Sequence, residues 1–378
     1  MVFVSYNNIV SPLGYTTIEN YTAITQGIIA VKPTQLPFSK ETFCVALTDD
    51  EKTNTLFGNL LNEAQYTKLE KLSILSITDV LHQSGINPQD EKTLLIYSTT
   101  KGNIDVLENR YPQFSNDRVY LHQLTAQLQN HFKFKNTPIV LSNACISGVL
   151  AIAMAKRFIE SKHYNHVLVC GGDIISEFTL SGFKSFNALS SKPSKPFDAD
   201  RVGINLGEAV ATILITNDKE LAKNYSTQIV AGASANDANH ISGPSRTGDG
   251  LFQCLKQLPI KETEGIGFIS AHGTATPFND EMESIAFERA ELQSIPVNSL
   301  KGYYGHSLGA AGVLETILSL ESLKNQQLIK SQGYETKGVS GNISLIEAHK
   351  PSFFQAFIKT ASGFGGCNAA VLFKKYNV

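Results

Sequence analysis

Apolar runs without alternation recur along the chain at the spacing of strands and helices packed in layers. Leu94-Leu95-Ile96-Tyr97-Ser98 and residues 138–141 have the pattern of strands covered on both faces. Residues 150–155 lead into the polar exit Lys156-Arg157-Phe158-Ile159-Glu160 and predict a helix. His166-Val167-Leu168-Val169-Cys170 predicts a third strand, ended by Gly171-Gly172. Residues 1–6, 209–216, 228–232 and 266–270 also read as strands, and residues 310–323 as a helix rich in Ala and Leu. Residues 352–361 and 369–374 predict a closing strand pair around a glycine turn. Strands spaced by helices predict an α/β fold with a mostly parallel sheet. The polar connection 217–225 divides the chain into residues 1–217 and residues 226–378.

The two halves echo each other. In each, a strand leads through a turn to a reactive residue that opens a small-residue helix. Cys145 has Gly148 three positions on, and His306 has Gly309 three positions on. A duplicated unit places both side chains at helix N-termini near a pseudo-twofold axis.

With 378 residues, 42% hydrophobic and 17% charged, the chain has material for two core-bearing halves. A net charge of -2 argues against nucleic acid as a main partner, because phosphate binding needs a clustered basic excess. The first residues lack the basic start and apolar core of a secretory signal. The most apolar stretch, 145–158, is interrupted by Ser, Lys and Arg and is too short to span a bilayer. Five cysteines, an odd number without CxxC spacing, speak against a disulfide framework or a zinc site. A cytoplasmic enzyme with reduced thiols is expected.

Three distant segments carry candidate chemistry. Cys145 follows a strand and opens a helix, where unpaired N–H groups and the dipole favour thiolate over thiol. A lone cysteine in an apolar run is also what a core cysteine looks like, the reading kept for Cys44, Cys170, Cys254 and Cys367. His272 lies just after a strand and enters Gly273-Thr274 and a proline turn, where reacting groups sit in such sheets. Asp280, at a plausible helix cap, and Glu283 stand ready to orient backbone or pair with Lys301. His306 sits between Gly305 and Ser307, five residues after Lys301, a position equally suited to capping a helix. A buried Lys301 needs a carboxylate partner, and Glu283 is the candidate. One thiol and two imidazoles flanked by small residues suit acyl transfer through a thioester. Gly363-Phe364-Gly365-Gly366 lacks the strand–turn–helix setting of a dinucleotide fingerprint, and Gly243-Pro244 is loop punctuation.

Taken together, these segments resemble the β-ketoacyl-acyl carrier protein synthases, condensing enzymes of the thiolase superfamily. The resemblance begins at Ile9-Val10-Ser11-Pro12-Leu13-Gly14 and runs through Ala144-Cys145, residues 196–203 and Gly207-Glu208-Ala209. It continues through residues 272–277 with Asn279-Asp280, Lys301 with residues 305–312, and Gly363-Phe364-Gly365-Gly366. It implies a thiolase-like fold, duplicated αβ halves forming a five-layered αβαβα core. It also implies a decarboxylative condensation in fatty acid or polyketide-type synthesis. Cys145 would take an acyl chain, with the N–H groups of Cys145 and Phe364 holding its oxyanion. His272 and His306 would hold the malonyl thioester carbonyl while carbon dioxide leaves. Lys301 would fix His306 through Glu283, and Phe364 would gate the acyl pocket. Implied partners are malonyl and acyl thioesters, an acyl carrier protein and a second ketosynthase chain, identical or sister. No metal or bound cofactor is implied, since the 4'-phosphopantetheine arm belongs to the carrier protein. Departures occur at Ile146-Ser147-Gly148, after the nucleophile, and in the compressed stretch 101–135.

Two rivals use the same residues. A chain-length-factor-like subunit would be non-catalytic, but such chains usually lose the nucleophile. A thiolase-like acyltransferase would use a second cysteine as base, for which Cys367 follows the glycine turn. Carrier proteins being acidic, Lys68, Lys71, Lys192 and Lys195 are candidates for a basic docking rim.

Overall fold

The computed structural model describes residues 1–59, 65–108, 111–237, 239 and 243–376. Its main sheet comprises β1 (Phe3–Val10), β2 (Thr93–Ser98), β3 (Ile139–Leu141), β4 (His166–Asp173), β5 (Ala209–Thr216) and β6 (Thr227–Asn236). It continues with β7 (Ile266–Ser270), β8 (Pro296–Asn298), β9 (Ser344–Leu345), β10 (Ala356–Gly363) and β11 (Cys367–Lys375). The spatial order is β9-β8-β7-β10-β11-β6-β1-β5-β4-β2-β3.

That order contains one five-strand unit twice. β3-β2-β4-β5-β1 and β8-β7-β10-β11-β6 each start with two parallel pairings and finish with two antiparallel ones. The units meet where Phe3 and Val4 of β1 pair with Gln228 and Thr227 of β6. The sheet is therefore mixed, not mostly parallel as the apolar runs implied. Burial on both faces makes β5 and β11 apolar although they run antiparallel to their neighbours.

Six helices matter for the site: α1 (Lys68–Ser84), α2 (Ser147–Glu160), α3 (Glu177–Ser185), α4 (Asp249–Lys256), α5 (Pro277–Arg289) and α6 (Ala311–Asn325). α1 packs on β1 and β5, and α4 packs on β6 and β11. α2 and α6 lie between the units and touch strands of both. The result is helix, sheet, helices, sheet, helix. Because α6 is enclosed by both units, its residues from Ala311 to Leu323 are all buried, which explains their lack of a polar stripe.

Bare backbone lets α2 and α6 meet. A Cβ on Gly148 would stand 2.8 Å from the Val313 nitrogen, and one on Gly312 would stand 2.5 Å from the Val149 nitrogen. This reciprocal contact sets Gly148 opposite Gly312, which pairs Cys145 with Gly309 and His306 with Ser142. Ala144 (φ 43°) and Leu308 (φ 51°), the corresponding left-handed residues, obey the same register. The repeat suggested by the sequence exists, but matching Gly148 to Gly309 put it three residues out of frame.

Two smaller differences concern punctuation. β4 runs through Gly171-Gly172 to Asp173 instead of ending at the glycines, which are bare because Ser98, Val313 and Ala310 crowd Gly171. Pro277 is no turn residue; it begins α5, where a missing N–H costs nothing. Among the described residues no helix is long and apolar enough to cross a membrane.

Candidate active site

The short strand β3 delivers the chain to Ala144, whose left-handed backbone turns it sharply so that Cys145 precedes α2. Ser147 ties this elbow together: its hydroxyl donates to the Ala144 carbonyl (2.7 Å) and accepts from the Asn143 N–H (2.8 Å). Ile146 is buried in the central core. The departure Ile146-Ser147-Gly148 thus serves packing, elbow bonding and helix contact in turn.

His272 leaves the end of β7 on a loop gripped from beneath by α5. Glu283 accepts from the N–H groups of His272 (2.8 Å) and Gly273 (2.6 Å), and from Asn279 (2.9 Å). Asp280 accepts from Thr274 (2.9 Å), Ala275 (3.1 Å) and Phe197 (2.7 Å). Four consecutive N–H groups therefore end on two fully buried carboxylates. Burial and the Asp280 charge push Glu283 up to about 7, against the backbone donors that pull it down.

His306 enters from the short helix Lys301–Tyr304 and sits before the 3-10 turn Leu308–Ala310. Its N–H donates to the Asn205 carbonyl (2.7 Å), and its carbonyl accepts from Gly207 (3.0 Å). The Leu308 N–H donates to its Nδ1 (3.2 Å). Asp173, at the end of β4, accepts from Gly309 (2.7 Å), Thr99 (2.8 Å) and Thr100 (2.9 Å). One carboxylate thereby fastens the turn after His306 to the N-terminal unit.

Beneath the two rings lies a buried charge cluster. Lys301 donates to Glu315 Oε1 (2.7 Å), the His272 carbonyl (2.5 Å) and His272 Nδ1 (3.3 Å). Lys359 pairs with Glu315 Oε2 (2.6 Å) and donates to the carbonyls of Ser270 and Ala271 (both 3.2 Å).

These anchors bring the Cys145 sulfur and nitrogens of both rings within 4.8 Å of one another. The rings lie 5.1 Å apart at 81°. Each Nδ1 already accepts, from an ammonium in His272 and an amide in His306, so in the neutral rings Nε2 carries the hydrogen. His306 Nε2 is buried with no partner among the described residues. Burial holds His272 well below the usual imidazole range, helped by Lys301, His306 and Lys359. His306 is lowered in the same way by burial, Lys301 and Lys359. Two neutral N–H donors therefore face the sulfur. Rings that present hydrogens beside two ammonium groups make a poor cradle for a divalent cation, although one sulfur and two imidazoles resemble a ligand set.

The cluster forms the buried end of a cavity of about 550 Å³. Its rim includes the exposed side chains of Phe186, Val202 and Phe278. Phe364 projects into it and packs against Phe183 (5.8 Å) and Phe186 (5.3 Å). Thr274, Thr276 and Asn279 supply polar wall.

Family models agree with this arrangement. Residues 40–220 match the beta-ketoacyl synthase N-terminal domain, and residues 226–335 match its C-terminal domain. The chain belongs to the beta-ketoacyl synthase family. A putative mitochondrial 3-oxoacyl-[acyl-carrier-protein] synthase of Schizosaccharomyces pombe is 27% identical over 97% of this chain and 97% of its own length. The 3-oxoacyl-[acyl-carrier-protein] synthase 1 of Haemophilus influenzae is 30% identical over 67% of this chain and 65% of its own. Among solved structures, a ketosynthase from Xenorhabdus doucetiae superposes with a TM-score of 0.85 at 22% identity, covering 99% of this chain and 98% of that one. A beta-ketoacyl synthase from Burkholderia phymatum gives 0.84 at 21% identity, covering 100% and 99%. The thiolase-like ketosynthase fold is thus shared.

Against this ketosynthase frame, several expectations need correcting. Lys301 pairs with Glu315, not Glu283, because Glu283 is occupied by backbone N–H groups. The ring that Lys301 touches is His272, not His306. Asp280 does not cap its helix; Thr276 holds the N-cap position, and Asp280 binds the loop from the first turn. Cys145 is not biased towards thiolate: burial, with the Cys367 thiol beside it, pushes it up to about 12, although Lys301 acts the other way. Lys68 is no open docking residue, since it is clamped between Asp50 (2.6 Å) and Glu208 (2.7 Å). Lys195 lies near Glu335 (3.8 Å) and Asp200 (4.0 Å), and Lys71 donates to Asn54 (2.8 Å).

Three residues that brace the site were missed: Asp173, Glu315 and Lys359. Lys359 left a signal, a lysine inside the apolar strand Ala356-Phe357-Ile358-Lys359. Glu315 left another, a carboxylate inside the otherwise apolar and small-residue run 311–320. Asp173 follows a glycine pair and carries no comparable mark.

Proposed function

We propose that the chain condenses an acyl thioester carried on Cys145 with a malonyl-acyl carrier protein, releasing carbon dioxide and a 3-ketoacyl product. The supporting observation is the pair of neutral, tautomer-fixed imidazoles beside the sulfur. In the first half-reaction the Cys145 sulfur bonds to the acyl carbonyl carbon. The bond to the carrier thiol breaks, and the cysteine proton leaves on that thiol. The N–H groups of Cys145 and Phe364 would hold the oxyanion; Gly363 brings the two together, its bare Cα leaving only 3.0 Å between an added Cβ and the Cys145 nitrogen.

In the second half-reaction the malonyl thioester carbonyl accepts hydrogen bonds from His272 and His306. The carboxylate leaves as carbon dioxide, and its electron pair forms an enolate whose oxygen those donors stabilise. The enolate carbon then attacks the acyl carbonyl, a carbon–carbon bond forms, and the Cys145 sulfur departs and regains a proton. Lys301 positions His272, Asp280 and Glu283 shape its loop, and Phe364 controls passage between the cavity's parts. No metal or bound cofactor is needed, since phosphopantetheine arrives on the carrier.

We place this activity in fatty acid or polyketide-type synthesis, with residues 1–217 and 226–378 as its two halves. The Xenorhabdus doucetiae ketosynthase was solved with its chain length factor, and another neighbour with its acyl carrier protein. By analogy, this chain takes a carrier protein and a second ketosynthase chain as partners. Retention of Cys145 beside both histidines favours catalysis over a chain-length-factor role. Cys367 supports the thiolase-like rival poorly: although it neighbours Cys145, it is absent from the cavity lining and its thiol donates to the carbonyls of Phe364 (3.4 Å) and Asn143 (3.8 Å).

The test supplies an acyl thioester, then malonyl carrier protein with a labelled carboxyl group. An acyl mass on Cys145 followed by labelled carbon dioxide and a 3-ketoacyl carrier is expected. Acylation without carbon dioxide release would overturn the reading.

A further inference from the structure

Glu315 bridges two ammonium groups, and only one of them, Lys301, has been given a part in the reaction. Lys359 is fully buried in the middle of β10. It forms an ion pair with Glu315 Oε2 (2.6 Å) and donates to the carbonyls of Ser270 and Ala271. Lys301 likewise sends one hydrogen to Glu315 Oε1 and two to the carbonyl and Nδ1 of His272. Three consecutive carbonyls, those of Ser270, Ala271 and His272, therefore rest on two cations that share one carboxylate.

A lysine buried in a sheet carries the desolvation penalty of any buried ion, so its presence beside Glu315 asks for a role. With one cation Glu315 would neutralise Lys301, both oxygens free to draw its hydrogens inward. With Lys359 on Oε2, Lys301 keeps a hydrogen for His272 Nδ1, and the trio retains one net positive charge beneath both rings.

We propose that Lys359 is a positioning residue for the decarboxylation step, keeping Lys301 directed at His272 Nδ1 and both imidazoles in the neutral, Nε2–H state. This rests on the decarboxylative reading above. The groups facing Lys359 are Glu315 on α6, Lys301 on the short helix before His306, Glu283 on α5, and the two histidines. The lowered positions of both rings, to which Lys359 contributes, agree with this assignment. Removing its charge makes the rings easier to protonate. Since only neutral rings of this tautomer serve as paired donors with Nδ1 occupied, the acid limb of decarboxylation moves to higher pH.

The experiment compares wild type with Lys359→Gln, which keeps a donor to the Ser270 and Ala271 carbonyls, and with Lys359→Met. Cys145 acylation, read by mass, and labelled carbon dioxide release from malonyl carrier protein are followed from pH 5 to 9. The expected result is acylation within about twofold of wild type, carbon dioxide release reduced about tenfold on the neutral plateau because Lys301 is no longer directed at His272, and an acid limb about one pH unit higher. The double variant Glu315→Gln/Lys359→Met restores one net charge and is expected to return the limb towards wild type. Equal loss of both half-reactions, or an unmoved acid limb, overturns the proposal. If the variants do not fold, NMR of the wild-type protein decides: a Lys359 side chain uncharged at about pH 7, or protonation of His272 or His306 near pH 6.5, overturns the proposal, and a charged Lys359 beside neutral rings upholds it. Failure of the condensation reading itself would show as wild-type protein that releases no carbon dioxide.

Discussion

Gly148 and Gly312 stand back to back where α2 crosses α6, each leaving room for the other helix's backbone nitrogen. Because Cys145 lies just before one helix and His306 just before the other, this contact sets the distance between nucleophile and donor. Gly312→Ala places a methyl carbon at 2.5 Å from the Val149 nitrogen, which cannot swing away as a side chain would. We expect a loss of about 2–3 kcal/mol in urea unfolding, and weaker condensation in whatever remains folded.

Cys145→Ala removes the acyl acceptor but leaves His272, His306 and their supports intact. Acyl transfer is expected to vanish. Release of carbon dioxide from malonyl carrier protein should persist, because the imidazole donors do not depend on the sulfur. Abolition of both would mean that the rings do not bind the malonyl carbonyl independently.

Glu283 supplies a pH test of stability. Its folded position, about 7, lies above the ordinary glutamate value, so the folded state holds its proton more tightly than the unfolded chain. Its contribution is therefore full below about 4.5 and is lost as pH rises through about 7. Urea unfolding from pH 4.5 to 8 should show this decline in wild type and lack it in Glu283→Gln.

Lys68→Ala should act on folding, not docking. Its ammonium joins Glu208 to Asp50, and Glu208 also accepts from Thr48 (2.9 and 2.7 Å) and Ile175 (3.2 Å). Leaving Glu208 buried without its cation is expected to cost about 3 kcal/mol. Carrier-protein affinity at low salt, measured on the folded fraction, should not change. A selective loss of affinity would return Lys68 to the docking rim.

Much of this was legible in the chain because strands buried on both faces give unbroken apolar runs, and helices that follow them give small-residue stretches. The thiol and both imidazoles stood out for their glycine and strand-end settings, and the structure brings all three together. What was not legible are the pairings. Glu283 is nearer than Glu315 to His272 along the chain, yet backbone N–H groups claim it first. No local pattern says which of two carboxylates a lysine will meet across a fold. Nor does the helix end at Cys145 say how deeply the thiol lies, since depth of burial is a property of the assembled layers. Register of the internal repeat was misjudged because the turn after His306 includes a 3-10 segment before its helix, whereas the turn after Cys145 does not.

Asp173 belongs to the N-terminal unit yet holds Gly309, just past His306. This clasp ties the ring's turn to the half that carries the sulfur. Adaptation to longer or shorter acyl chains has to come from walls that lie outside this clasp. The exposed rings of Phe186 and Phe364 are such walls: reshaping them alters what the cavity admits without disturbing the geometry that performs the chemistry.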